Sequence, residues 1–381
     1  MLKQQYAAFC IALEKPFQSC GLFLLLLLFF TSSSVTAQTL PTEEQNERYK
    51  ANLERILATQ NSGKFSAEND FVKKWQKREH LLGIISYILS LPEDEIDIWK
   101  VSLTLAGDAY PDIDMKYFTE EFEAIVARAK DMTPADASPD VRIRTLNTLF
   151  YKRMGIDYDK TDYTGKKLPN RYAFGVIDRG VGTCANLAAF YISVAQRLGY
   201  PVHAVAAPQH LFARYVDPSF DRQNIDPAGK GGWSSDADYI RDMEIPQKAI
   251  DNGVYLRTMT NKELAAELIA DHGAYYYGQV RKDYTTATKI LERVLPYTPK
   301  ASEFYNLMGQ LLERLSYKDL EPMIQESIQA RAYYFRMKSG ELGIGKPLTE
   351  DYWKHTTKKT KPVEPVTLIP VWEIPLKLKL D

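Results

Sequence analysis

The chain has 381 residues, of which 45% are hydrophobic, so it can bury a sizeable core and is long enough for more than one domain. Its 48 Lys and Arg residues nearly balance its 49 Asp and Glu residues, and the formal net charge is −1. Nucleic-acid-binding proteins typically carry a net positive charge, which this chain does not have. We therefore expect no nucleic acid partner.

Residues 1–37 have the order of a secretory signal peptide. A Lys-containing start precedes the apolar stretch GLFLLLLLFF, and small residues then lead to Ala37, where we predict cleavage. The apolar stretch is shorter than the roughly 20 residues that a membrane-spanning helix needs. We therefore expect an exported protein, periplasmic or secreted, with no stable membrane span after signal removal. An N-terminal anchor that is not cleaved is the alternative.

Signal removal would leave a single cysteine. Cys10 and Cys20 lie within the predicted signal, whereas Cys184 lies in the middle of the chain. A single cysteine cannot form an internal disulfide, and a free thiol in an oxidising compartment is a liability unless it is buried or used. Cys184 is therefore the first candidate for chemistry.

The chain between the signal and its centre is predicted to be largely helical. Residues 38–98 form a helical lead-in segment, in which HLLGIISYILSL is apolar enough to be a buried helix. The stretch TEEFEAIVARAK has apolar residues at helical spacing, with an acidic start and a basic end that suit the helix dipole. The segment after Pro139 predicts another helix, which Gly155 ends.

The central block predicts a helix followed by an antiparallel sheet. From Leu187, apolar residues recur at the spacing of one helical face, and Gly199 and Pro201 then end the helix. Cys184 falls in the first turn of this helix. The stretches VHAVAA and HLFARYV are predicted strands, and QNID is a short third strand that ends before Pro227. The pattern indicates the α+β class.

Cys184 has two interpretations. A free cysteine most often packs as a small hydrophobic residue. At the start of a helix, however, backbone N–H groups and the positive end of the helix dipole favour a thiolate. The same N–H groups suit the oxyanion that forms during acyl transfer. The position of Cys184 therefore favours a nucleophile.

A cysteine nucleophile needs a base, and two of the five histidines lie in the central block. We favour His210, on the second strand, over His203, which begins the first strand and is expected at an edge or in solvent. Asp217, Asp221 and Asp226 are available to orient the imidazole. The first and last of these aspartates precede proline, which equally suits a turn. If the chain reverses after Asp217, the third strand returns towards His210 and selects Asp226.

Residues 261–338 are predicted to form helical repeats. An offset of 33 residues aligns YTTATKILERVLPYTP with YKDLEPMIQESIQARA, close to the period of tetratricopeptide repeats, which this segment resembles. The second copy departs from the pattern because Leu320 stands opposite the small Ala287 and no proline closes it. Residues 339–381 form an extended tail that is rich in proline and lysine.

The central block resembles the transglutaminase-like superfamily, whose members are related to papain in fold and in triad chemistry. The resemblance rests on a cysteine at a helix start, a histidine on one strand and an aspartate on the next. It extends to the SirB-type branch, whose members often carry tetratricopeptide repeats. Three segments carry that closer likeness: VSLTLAGDAYPDIDMKYFTEEFEAIVARAK, LNTLFYKRMGIDYD and YISVAQRLGYPVHAVAAPQHLFARY.

The resemblance implies that residues 99–260 form a papain-like core, with the cysteine-bearing helix packed on the antiparallel sheet. By position, Cys184 would be the nucleophile, His210 the base and Asp226 the residue that orients the imidazole. Many members of the branch lack the complete triad, which this chain retains. Gln209 departs from the pattern of the branch, which usually has glycine before the histidine.

These features predict an exported cysteine-dependent acyl-transfer enzyme that hydrolyses amide bonds in a peptide or a cell-wall-linked peptide. Water is in excess over any amine acceptor, so we expect hydrolysis in preference to transamidation. The helical repeats would bind a protein partner. Metal-ligand spacings, phosphate-binding loops and dinucleotide fingerprints are not found in the sequence, so we expect no cofactor and no metal. The alternative function is a non-catalytic scaffold or binding protein.

Overall fold

A computed structural model describes residues 70–315 and 322–343. The chain divides into two units, one formed by Met1–Leu81 and Ser316–Ala330 and the other by Leu82–Leu315 and Arg331–Asp381. The described residues of the first unit are helical. The second unit contains every predicted site residue. The predicted signal peptide, residues 38–69 of the lead-in segment and residues 344–381 of the tail lie outside the described residues.

Among the described helices that precede the centre of the chain, those after the first begin at polar caps. These helices are α1 (Asp70–Ser90), α2 (Ile98–Ala109), α3 (Met115–Met132) and α4 (Pro139–Asn147). The side chains of Asp97, Asp114 and Ser138 each accept a backbone N–H at the start of α2, α3 and α4. The predicted helices before Gly155 are confirmed, but α4 continues into a π-helical turn, Thr148–Arg153, which the sequence did not predict.

The centre of the chain folds into a helix and an antiparallel sheet, as predicted. Its helices are α5 (Phe174–Arg179) and α6 (Cys184–Arg197), and its strands are β1 (Asp157–Tyr158), β2 (Val181–Gly182), β3 (Val202–Ala207), β4 (His210–Tyr215) and β5 (Asn224–Ile225). Strands β3, β4 and β5 are neighbours in that order, and Ala207 pairs with His210 across a two-residue turn. Strands β1 and β2 form a short parallel pair that the sequence did not predict.

Helix α6 is buried along most of its length. Every residue from Asn186 to Ala195 is buried, so burial extends beyond the single apolar face that the spacing predicted. Strands β3 and β4 pack against this helix, as do α2, α3 and α5. Gln196, near its C-terminal end, accepts the N–H of Ile98 and donates to the C=O of Ile96. The N-terminal end of α6, which carries Cys184, remains partly exposed.

Helices follow the sheet to the end of the described residues. They are α7 (Asp236–Asp242), α8 (Gln247–Asp251), α9 (Asn261–Asp271), α10 (Tyr284–Val294), α11 (Ser302–Leu315) and α12 (Pro322–Leu342). Helix α9 continues into a second π-helical segment, His272–Val280, and α10 packs against α11. The assignment of this region to tetratricopeptide repeats, like the domain boundaries, stays a prediction.

The combination of helices with small sheets agrees with the predicted α+β class, and the papain-like arrangement of these elements stays a prediction. None of the helices within 70–315 and 322–343 combines the length and the apolar character needed to cross a membrane.

Gly231, in the loop after β5, tests how tightly the centre of the fold is packed. Its φ is 69°, and a Cβ atom at this position would lie 2.0 Å from Oδ1 of the buried Asn147. We expect Gly231→Ala to lower the free energy of unfolding by at least ~2 kcal/mol, because it adds both a clash and a strained backbone. Urea denaturation measures this loss.

Gly83→Ala is the matched control, since Gly83 is exposed on α1 and no atom lies within 4 Å of its Cβ position. Alanine in a helix is more favourable than glycine by up to ~1 kcal/mol, so this variant should be at least as stable as the parent. Equal losses in the two variants would contradict the packing described around Gly231.

Candidate active site

Cys184 is the first residue of α6. The preceding residue, Thr183, anchors this helix start, because its N–H donates to Oδ1 of Asn186 at 2.7 Å and its hydroxyl donates to the C=O of Asn170 at 3.3 Å. The side chain of Cys184 is a free thiol of intermediate exposure, with Sγ 3.9 Å from the C=O of Gln209. N–H groups in the first turn of a helix lack partners inside the helix, so they suit a negative charge on or beside the sulfur.

His210 is the first residue of β4 and follows a tight turn. Pro208 and Gln209 form this turn, and Gln209 has a φ of 52°. Proline followed by a left-handed residue is typical of a type II turn. The imidazole is buried, with the rings of Phe212 and Tyr239 each centred 6.0 Å from it. These two rings stack on each other at 4.3 Å, so the imidazole lies against a rigid aromatic surface.

Asp226 uses its two carboxylate oxygens for different partners. Oδ1 accepts the N–H groups of Ala228 at 3.0 Å and Gly229 at 3.3 Å, which caps the turn after β5. Oδ2 lies 3.3 Å from Nε2 of His210 and accepts the hydroxyl of Tyr239 at 3.4 Å. Because the turn fixes one oxygen, the other is held towards the imidazole.

The structure brings Cys184, His210 and Asp226 together. Nε2 of His210 faces Oδ2 of Asp226, so Nδ1 lies on the other side of the ring, and Sγ of Cys184 lies 3.9 Å from the C=O of Gln209, the residue before His210. Burial opposes a charge on His210, but the charge and hydrogen bond of Asp226, reinforced by Cys184, raise the pKa of His210 to about 10. Burial also opposes the Asp226 carboxylate, yet His210 and the capping N–H groups hold its pKa below its usual range. An imidazolium between the two acidic groups is therefore favoured at neutral pH.

The alternatives that the sequence offered lie elsewhere. His203 pairs with Arg214 and lies four residues before Ala207, the last residue of β3. At the rise of a strand, this places His203 about 13 Å from the turn that precedes His210. Burial lowers the pKa of His203, in contrast to that of His210. Asp217 caps its own turn by accepting the N–H and hydroxyl of Ser219, and Asp221 is exposed in the same connection.

Sequence reasoning missed two tyrosines of the site. Tyr239, on α7, donates to Asp226 and stacks on Phe212. Tyr158 pairs with Gly182 across β1 and β2, and its pKa is raised by burial and by the charges of Cys184 and Asp226. Tyr158 is therefore a neutral hydroxyl near the thiol, and it donates to a backbone C=O. Neither tyrosine carries a motif, and the short strand that positions Tyr158 has no alternation to reveal it.

The loop before α5 contains two buried carboxylates and accepts the hydroxyl of Thr183, the residue before Cys184, at the C=O of Asn170. Asp159 accepts from Thr161, Asn170 and Arg179, and these and neighbouring donors hold its pKa well below its usual range although burial opposes the charge. Asp162 accepts two backbone N–H groups and the amide of Asn170. Within the part of the chain that the structure describes, no group of His, Cys, Asp and Glu is arranged to hold a metal ion.

Comparison with known proteins gives one family match, which covers the residues of the site. Residues 116–269 match the family model described as transglutaminase-like superfamily, and this range includes Cys184, His210 and Asp226. A UPF0162 protein of Xylella fastidiosa strain Temecula1 is 21% identical over 229 residues, which cover 58% of this chain and 79% of the relative. A UPF0162 protein of strain 9a5c is 24% identical over 166 residues, which cover 44% of this chain and 58% of the relative. No solved structure gives a significant match.

The pair formed by Asp226 and His210 makes stability depend on pH. The raised pKa of His210 contributes stability below the unfolded value near 6.5 and loses it as the pH rises through about 10. The lowered pKa of Asp226 contributes stability above its unfolded value near 3.9 and loses it in acid. We expect Asp226→Asn to cost ~3 kcal/mol near pH 6 and clearly less near pH 10, measured by urea denaturation at both pH values.

Asp217→Asn is the control for this experiment, because Asp217 caps an exposed turn and has no histidine partner. Its effect on stability should be small and similar near pH 6 and pH 10. A loss for Asp226→Asn that is equally large at both pH values would contradict the ionic pairing.

Proposed function

We propose that the protein is a cysteine-dependent acyl-transfer enzyme, with Cys184 as nucleophile, His210 as general acid and base, and Asp226 as the residue that orients the imidazole. The observation that carries the proposal is the contact of the buried His210 with one oxygen of Asp226, together with the position of Cys184 Sγ beside the carbonyl of Gln209, the residue before His210. The match to a transglutaminase-like domain supports the same chemistry. A buried histidine whose charged form is favoured by both neighbours suits a thiolate–imidazolium pair.

The reaction begins with attack of the Cys184 thiolate on the carbonyl carbon of an amide. The negative charge moves to the carbonyl oxygen, where N–H groups at the start of α6 are placed to stabilise it. His210 then gives its proton to the amine as the carbon–nitrogen bond breaks, which leaves a thioester on Cys184. Water attacks the thioester after losing a proton to His210, and the carboxylic acid and the free thiolate are released.

Asp226 contributes orientation rather than a proton transfer. Its Oδ2 accepts from Nε2, so in the neutral imidazole the proton stays on Nε2 and Nδ1 keeps the lone pair that faces the sulfur. The negative charge of the carboxylate also stabilises the imidazolium that forms in each half of the reaction. The cap on Oδ1 keeps the carboxylate in place while these charges change.

The substrate class follows from the same chemistry. We assign to it an amide in a peptide or a cell-wall-linked peptide, consistent with the proposed export of the chain. Cys184 is partly exposed while His210 and Asp226 are buried, which suits a substrate that approaches the sulfur from solvent. The resemblance to the SirB-type branch supports a further role for the helices after α9, as repeats that hold a protein partner.

The first test measures the reactivity of Cys184 with iodoacetamide at pH 6, followed by intact mass. An ordinary thiol with a pKa near 8.5 is less than about 1% ionised there, so a thiolate–imidazolium pair should react about a hundredfold faster. His210→Ala should remove most of this advantage. The control is His203→Ala, since His203 lies on the neighbouring strand away from the sulfur. Equal rates in the parent and in His210→Ala would favour the non-catalytic scaffold.

The second test separates hydrolysis from transamidation. Peptide amides are supplied together with a labelled primary amine, and both the released acid and the incorporated label are measured. Because water is in large excess, we expect the acid to form faster. Cys184→Ala should abolish both products without altering the unfolding midpoint, since cysteine and alanine differ little in volume at a partly exposed helix start. Faster incorporation of the amine would replace hydrolysis with transamidation.

A further inference from the structure

The turn that precedes His210 contains a residue, Gln209, whose backbone conformation is unfavourable for its type. Gln209 occupies the left-handed region, with a φ of 52°, although its Cβ atom makes that conformation unfavourable. The residue cannot relax without consequence, because its C=O lies 3.9 Å from Sγ of Cys184 and His210 follows directly. A contact from outside the turn would offset this cost.

Glu303, near the start of α11, supplies such a contact. Its Oε1 accepts the N–H of Gln209 at 3.3 Å, a bond that joins residues 94 positions apart. The same oxygen accepts the hydroxyl of Tyr255 at 2.8 Å. One carboxylate oxygen thus ties the turn to a second segment of the chain.

Tyr255 belongs to a segment that covers the free edge of β3. The N–H of Leu256 donates to the C=O of Ala206 at 2.9 Å, and the N–H of Met259 donates to the C=O of Ala204 at 2.9 Å. These ladder-like bonds fix the segment against the strand that leads into the turn. Glu303 therefore holds the turn from a rigid support and not from a mobile loop.

The surroundings of Glu303 are costly for a carboxylate. Burial raises its pKa, against the opposing hydrogen bonds of Tyr255 and Gln209. Glu267 lines the same cleft, and burial together with neighbouring carboxylates raises its pKa to about 8. Arg257, also in the cleft, forms its ion pair with Glu263. The hydrogen bonds from Tyr255 and Gln209 hold the carboxyl group of Glu303 in place.

We propose that Glu303 is a positioning residue for the Cys184–His210 pair, a role that rests on the proposed function of that pair. By accepting the N–H of Gln209, it keeps the turn in its left-handed form and so fixes the direction in which His210 enters the site. The helices after α9, proposed above to hold a partner, are then also part of the support of the active site.

The experiment measures the rate at which iodoacetamide alkylates Cys184 at pH 6 and at pH 9. The quantity compared between variants is the rate at pH 6 divided by the rate at pH 9. A high ratio reports the pairing of the thiolate with the imidazolium, whereas a change in overall stability does not move it. Glu303→Ala should lower the ratio about tenfold, the effect of losing one hydrogen bond to a charged group. Glu303→Gln should keep most of the ratio, because its amide oxygen accepts the same N–H.

Two further variants make the test specific. Glu267→Gln is the control, since Glu267 lines the same cleft and has no bond to the turn, and its ratio should equal that of the parent. Gln209→Gly introduced into Glu303→Ala should restore the ratio, because glycine adopts the left-handed conformation without strain. If Glu303→Ala does not fold, Tyr255→Phe, which removes the second partner of Glu303, should lower the ratio about threefold.

The outcomes separate this inference from the proposed function. A parent protein with a high ratio that Glu303→Ala or Tyr255→Phe leaves unchanged overturns the positioning role alone. A ratio that falls equally in Glu267→Gln also overturns it, because the effect would then belong to the charge of the cleft. A parent protein with the ratio of an ordinary thiol overturns the proposed function and the positioning role together.

Discussion

The burial of α6 is the constraint on which the rest of the structure depends. Its residues from Asn186 to Ala195 are all buried, so both the sheet and the neighbouring helices must pack around it. Burial of this extent stabilises by roughly 1.5–3 kcal/mol for each large side chain. Both ends of the helix are less buried, and at the N-terminal end the first-turn N–H groups lie beside Cys184. The packing of the core thus leaves the N-terminal end of α6 as a position where a nucleophile is accessible.

The carboxylate of Asp226 shows that a turn residue and a site residue need not be alternatives. An aspartate before proline predicts a turn, and the structure contains that turn, capped by Oδ1. The same cap directs Oδ2 to His210. The loop that follows is fixed in turn by Gly231, whose N–H donates to the C=O of Asp226 and whose C=O accepts from Asn147. A local turn therefore builds the orientation that acid–base chemistry requires.

The elements that were predicted correctly from the sequence are those whose signals are local. Helix α6 follows from apolar spacing and a glycine stop, and β3 and β4 follow from the short apolar runs VHAVAA and HLFARYV. Sequence reasoning missed the parallel pair of β1 and β2, the π-helical turns and Tyr239, the second partner of Asp226. The strand pair and the bond from Tyr239 to Asp226 join separate segments of the chain, and two-residue strands are too short for a period to show.

Gln209 illustrates why a departure from a local pattern cannot be judged locally. A left-handed residue in a tight turn favours glycine, so glutamine at this position breaks the local rule. The compensating contact comes from Glu303, 94 residues later, on a helix that sequence reasoning assigned to a separate repeat segment. The strained residue, Gln209, lies in the turn between β3 and β4, whereas the residue that stabilises it, Glu303, lies on α11. Gln209 directly precedes His210. A substitution that looks unfavourable in the turn is thus coupled to α11 through the bond between Gln209 and Glu303, which joins the helical region physically to the site.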